Sequence, residues 1–221
     1  MRRFLFLALF AASAAHAGPS VDRDIVENLP AEVLSQAAPL DAQIDQLEAA
    51  IEAKAARHDR ENGNARALKF EVKAAKAQVK ADKAALKAAR KRDDSAVASA
   101  AREAMEASEA ALEVLETRQG ISDALVDLLD AQIELLETQL DVKIAERQVI
   151  YAVGADTTIE GGFDDSKFRK ARAKAELKFQ KARADVSQAE TRFTRAGGEE
   201  LPDRMTITGT QAPAMGGTPA E

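Results

Sequence analysis

"RQGISDALVDLLDAQ", Arg118 to Gln132, sits in the middle of a chain whose pattern otherwise reads as long helix. A glycine inside a helix costs about 1 kcal/mol against alanine. Gly120 is therefore either a tolerated weak point in one rod or the turn that folds the rod into a hairpin. Its neighbours carry turn chemistry. With Gly120 just past a helix end, Ile121 should touch an apolar side chain one turn back, where Leu115 stands. With Ser122 capping the next helix, its hydroxyl meets an orphan backbone N–H, and Asp123 suits the positive helix end. Ile121 and Val126 then form the staple around that cap. The rival reading is an uninterrupted helix, and the heptad phase does continue through Gln119 and Ser122. Capping chemistry predicts the turn at 119–122.

Outward from this stretch the apolar residues keep 3/4 spacing. One seam runs Ile44, Leu47 and Ile51, crosses a polar interval at Lys54, His58 and Glu61, and resumes in the same phase. Its second part is Ala65, Leu68, Val72, Ala75, Val79, Leu86 and Ala89. A second seam links Ala98, Ala101, Met105, Ser108, Leu112 and Leu115 to Val126, Leu129, Ile133, Leu136 and Leu140. This is the spacing of a coiled-coil seam. Leu125, Leu128 and Leu135 widen the second stripe, which implies more than one partner helix. Asn62 to Asn64 ("NGN") and Gly154 to Gly162 read as turns, while Arg92 to Ser95 ("RDDS") reads as a second possible break that, having no glycine, is also compatible with continued helix. Pro39 reads as a helix restart. A last helix opens at Asp164, with Phe163 and Phe168 as its staple.

The composition fits this pattern. The chain has no Cys and no Trp, 4 % aromatic and 31 % charged residues. Disulfides, thiolate metal sites and thiol-linked haem are excluded. Residues 1–17 have the form of a cleaved signal peptide: Arg2 and Arg3, an apolar run, then Ala15-His16-Ala17. The segment left after cleavage holds 29 basic and 37 acidic residues, a net charge of −8. No later apolar stretch is long enough for a transmembrane helix, so the expected address is the periplasm, with outer-membrane association as a further expectation.

Charge is segregated by segment. Residues 66–92 carry ten basic and two acidic residues, 93–146 three basic and fourteen acidic, and 166–195 ten basic and three acidic. An acidic middle between two basic helices predicts antiparallel packing with complementary faces. The rival reading of the basic helices, nucleic-acid or anionic-membrane binding, is disfavoured by that internal acidic partner and by the scarcity of stacking aromatics. Leu40–Ala56 also echoes Leu129–Ala145, with nine of seventeen positions identical, which predicts a duplicated hairpin unit with breaks at Gly63 and Gly154.

Thr117 to Ala155 resembles the periplasmic helical hairpin of TolC-type outer-membrane efflux proteins. The resemblance is carried by Gly120-Ile121-Ser122, by Asp127-Leu128-Leu129-Asp130-Ala131-Gln132, and by Tyr151 with Gly154. It implies that Gly120, Ile121 and Ser122 form a tip that meets an adaptor protein, and that Asp127 and Asp130 match acidic residues lining the entrance. The spacing from Gly120 to Asp127 is one residue longer than the family pattern. No run of alternating strands for a barrel accompanies it; only "MTITGT" hints at one.

Catalytic chemistry is not evident in the pattern. His58 and Glu61 share a helix face, but two candidate ligands make a weak metal site. Asp127 and Asp130 read as a solvated face rather than an acid/base pair. The expectation is an all-α, elongated antiparallel coiled-coil protein with no enzyme activity, cofactor or metal. Its divisions are a signal peptide (1–17), a lead segment with a short helix (18–39), a hairpin domain (40–196) and a disordered tail (197–221). Within the domain, 40–61 pairs with 65–92, the chain runs 96–118 to the tip, and it returns as 122–153 under 164–196. The expected partners are adaptor-like envelope proteins or a second copy in a homo-oligomer, in trans-envelope efflux or export. The alternative is an unrelated periplasmic coiled-coil scaffold or holdase chaperone.

Overall fold

A computed structural model of the chain describes residues 18–92, 94–158 and 163–199. The expected signal peptide and the tail beyond Glu199 lie outside the described residues. The described part is all-α: a short helix α1 (Arg23–Glu27), two long helices α2 (Ala31–Lys91) and α3 (Ser95–Thr158), and α4 (Ser166–Arg195). α2 has 61 residues and α3 has 64. At 1.5 Å per residue each is about 90 Å long.

α2 and α3 pair antiparallel along the predicted seam. In α2 the buried positions Ala37, Ile44, Ala65, Val72, Val79 and Leu86 fall in one heptad phase, with the half-buried Ile51 and His58 filling the interval. α4 lies along α3, and α3 is packed on two sides. The row that widened the second stripe faces α4: Leu128 is buried with Ala189 and Phe193, and Ile121, Ala124, Leu125 and Val186 pack around them. The residues before α2 close the other end. Val21 is buried against Ala152 and Phe168, and its N–H donates to Gln148 Oε1 at 2.8 Å.

Two of the predicted turns and one predicted restart are corrected. α3 runs unbroken through Gly120, and α2 runs unbroken through Asn62 to Asn64. Both Gly63 and Gly120 sit on exposed positions, where a missing side chain forfeits no packing. The seam on either side stays in phase, so about 1 kcal/mol of helix propensity at each glycine is outweighed by continuous burial. Pro39 likewise lies inside α2 rather than restarting it. The chain instead reverses between the end of α2 at Lys91 and the start of α3 at Ser95, the stretch read as a second possible break. Asp94 supplies the cap: its Oδ1 accepts from Val97 N–H at 3.1 Å, and its carbonyl accepts from Ala98 N–H at 2.9 Å.

Two boundaries also move. α3 continues through Gly154 to Thr158, because Gly154 lets α3 meet α2 closely: a Cβ there would stand 2.6 Å from Val33 Cγ1. The rest of the predicted loop, 159–162, lies outside the described residues. α4 begins at Ser166 rather than Asp164, although Phe163 and Phe168 do stack, with ring centroids 5.9 Å apart. α4 ends in the glycine cap at the start of the predicted tail. Gly197 has φ of +92°, its N–H donates to the Thr194 carbonyl, and the Gly198 N–H donates to the Phe193 carbonyl.

The echoed segments do not form two hairpins. Leu40–Ala56 lies in α2 and Leu129–Ala145 in α3, and the two oppose each other across one seam. Side-chain contacts bracket them: the ion pair of Arg147 Nη1 with Asp41 Oδ1 at 2.6 Å and the approach of His58 Nε2 to Asp130 Oδ1 at 3.0 Å.

Candidate functional site

The residues expected at a tip lie far from the actual reversal. Gly120 is in mid-helix and exposed. Ile121 packs into the α3–α4 cluster, close enough to the end of α4 that a Cβ on Gly197 would stand 3.7 Å from Ile121 Cδ1. Ser122, Leu115 and Val126 are half-buried. Leu115, Ser122 and Val126 keep the phase of the seam toward α2, so Ile121 faces away from Leu115 and Val126 instead of stapling them. Asp123 does not serve a helix start; its Oδ1 receives Lys69 Nζ at 3.1 Å. Asp127 is exposed, and Asp130 is held by His58.

The long-range electrostatics therefore organise the α2–α3 pair. Lys69–Asp123, Lys76–Glu116 and Lys83–Glu109 are 3.1, 2.9 and 2.8 Å apart, and each rung is one heptad from the next on both helices. These pairs span the seam on one flank of both helices. Each is exposed and stabilises by only a few tenths of a kcal/mol. The ladder thus adds little to stability. On the α4 side Arg172 reaches Glu146 at 3.6 Å. The predicted complementarity of acidic and basic segments is present at both interfaces.

One recess stands out at the body end. A groove of about 660 Å³ lies between Gly18–Ser20, α3 and α4. Arg147, Gln148, Lys174 and Lys178 line it, with Phe168 at its floor. Arg147 Nε is buried without a hydrogen-bond partner among the described residues, although Nη1 is committed to Asp41. Tyr151 lies near the same pair. Burial pushes its phenol pKa up, and the Asp41 carboxylate adds to that. Among the described residues no three His, Cys, Asp or Glu side chains come together as a metal site. His58 is turned to Asp59 and Asp130 instead of forming a site with Glu61.

Sequence reasoning read Arg92–Ser95 as a possible break but did not make it the hairpin reversal; the cap chemistry of Asp94, which needs no glycine, was the signal. The anchoring of Val21 was missed because the lead's apolar residues, Val21, Ile25, Val26 and Leu29, are too few to give a sustained period. No protein-family model, curated protein or solved structure matches the chain.

Proposed function

We propose that this chain is a non-catalytic coiled-coil scaffold of the bacterial periplasm, exported by a cleaved signal peptide and holding protein partners apart across the envelope. The observation that carries the proposal is the unbroken α2–α3 pair, about 90 Å long, with the Lys/acid ladder along one flank. A rod of this kind sets distance and presents surfaces. The resemblance of Thr117–Ala155 to efflux-channel hairpins suggests export or efflux components as the partner class. With Gly120 inside a helix, that resemblance no longer supplies a tip, and partner contact is proposed through the ends of the rod.

Affinity capture from cross-linked envelopes tests this. The expected result is a chain that begins at Gly18, sits in the periplasmic fraction and brings down inner-membrane adaptor or transporter components. Retention of the uncleaved chain in the cytoplasm, or capture of no export component, would overturn it. A holdase reading is favoured by one observation: Phe70 and Leu177 are 72 % and 73 % exposed. Suppression of aggregation of unfolded outer-membrane proteins, lost on Phe70→Ala and Leu177→Ala together, would select it.

A further inference from the structure

The part of the hairpin between the end of α4 and the turn at Arg92–Ser95 is an arm with two unlike faces. One face carries the ladder lysines, with Arg66, Lys73, Lys80 and Lys87 beside them on α2. The other face continues the strip of α3 that α4 covers in the body, where Ile121, Leu125 and Leu128 meet Ala189 and Phe193. Past the end of α4 the same strip runs bare through Val114, Ala111, Ala107, Ala104, Ala100 and Val97, all exposed, with the two valines 54 % and 52 % so. On the same side of α2 stand Ala74, Ala81, Ala85 and Ala88, also exposed. Heptad geometry fixes this sidedness. The ladder occupies one flank of the seam, so these residues occupy the flank opposite.

We infer that this bare face is where a second copy of the chain docks, arm on arm and antiparallel. Three observations select that occupant. First, the face prolongs an existing helix–helix interface, so a helix laid there continues the packing that α4 makes. Second, charge complementarity fixes the direction. The charged residues at the base of the face are Glu71 on α2 and Arg118 on α3, and neither has an ion-pair partner among the described residues. When two arms overlap from Val97 to Val114, about 26 Å of helix, Glu71 meets the Arg90–Arg92 end of the other copy's α2. Arg118 meets the Asp94 start of its α3. Third, a parallel pairing is blocked, because α4 lies on this same side of the body and would run into the other copy's α2. Alanines at the contact let the helices approach closely, with Ala81 facing Ala81 at the two-fold axis. The two charged faces stay in water. This inference does not rest on the envelope assignment above.

The chain has no cysteine, so introduced thiols report the geometry directly. Sedimentation of the purified chain should show a concentration-dependent rise to twice the monomer mass. Ala81→Cys should form a disulfide-linked dimer, and Val97→Cys mixed with Val114→Cys should cross-link, while Val97→Cys alone should not. Ala107→Glu, an exposed site in the monomer, should abolish the dimer with unchanged helix content. A chain that stays monomeric at all concentrations, or Val97→Cys linking to itself in place of Val114→Cys, would overturn the proposal.

Discussion

Lys76 Nζ stands 2.9 Å from Glu116 Oε1 across the α2–α3 seam, and its neighbouring rungs lie one heptad away on each side. Lys76→Glu should lower stability by about 0.5–1 kcal/mol, and adding Glu116→Lys should restore most of it. The check is a double-mutant cycle by urea unfolding at low salt. The Lys69–Asp123 rung lies past Gly120, so a coupling there of the same size as at Lys76–Glu116 is expected only if α3 is continuous. Zero coupling at Lys69–Asp123, with normal coupling at Lys76–Glu116, would mean a break at Gly120.

Gly120 itself gives a test of opposite sign for the two architectures. It lies inside a helix, and a Cβ added there would meet nothing within 4 Å, so Gly120→Ala should stabilise by about 1 kcal/mol. Gly63→Ala should do the same, for the same reason. At a turn needing the left-handed conformation, alanine would destabilise instead. Thermal unfolding of the two variants separates the cases.

This pair of glycines also shows what the sequence made legible. The seam residues and the two-sided character of α3 were periodic, and the charge complementarity was spread over whole segments; signals of both kinds survive local exceptions. Turns were not legible from glycine alone. At Gly120 and Gly63 the seam kept its phase across the glycine, and phase was the stronger evidence, since a true reversal has no reason to preserve it. At Asp94 the cap needed only a carboxylate and a neighbouring N–H. The tip residues were misplaced for one reason: Ile121 has two apolar neighbours in sequence, but its real partners, Ala189 and Phe193, are distant in the chain.

Phe168 is 1 % exposed and holds Val21 and Ala152 in one cluster. Phe168→Ala should cost about 3–5 kcal/mol in that region. The loss should be local first, because the cluster joins the lead segment to the end of α3 and not to the arm. Limited proteolysis is expected to cut between Val21 and Leu29 in the variant while the α2–α3 ladder region stays protected. Simultaneous loss of both would contradict a separable body end.

Tyr151 is the single tyrosine in a chain without tryptophan, so its ionisation can be followed by tyrosinate absorbance. Burial, and then the Asp41 carboxylate, raise its pKa above the ordinary phenol value of about 10. The folded state therefore keeps this proton to higher pH than the unfolded state does. Its contribution to stability is full below about pH 10 and falls as pH rises through the folded value. Asp41→Asn should move the titration midpoint part of the way back down, since burial remains. A midpoint unchanged by unfolding in urea would contradict the half-buried position beside Asp41.

Gly154 supplies the converse of Gly120. It is also helical, but a Cβ on it would stand 2.6 and 3.0 Å from the two γ-carbons of Val33. Valine is stiff about χ1 and sits near the start of α2, so it yields only by shifting that helix. Gly154→Ala should therefore destabilise, by roughly 1–3 kcal/mol, despite alanine's better helix propensity. Val33→Ala alone should also cost stability through lost packing, yet the two changes together should be better than their separate effects predict. That non-additivity is the signature of a contact between α3 and α2 at this point, and thermal unfolding of the four proteins measures it. Simple additivity would place Val33 away from Gly154 and remove the reason for a glycine there.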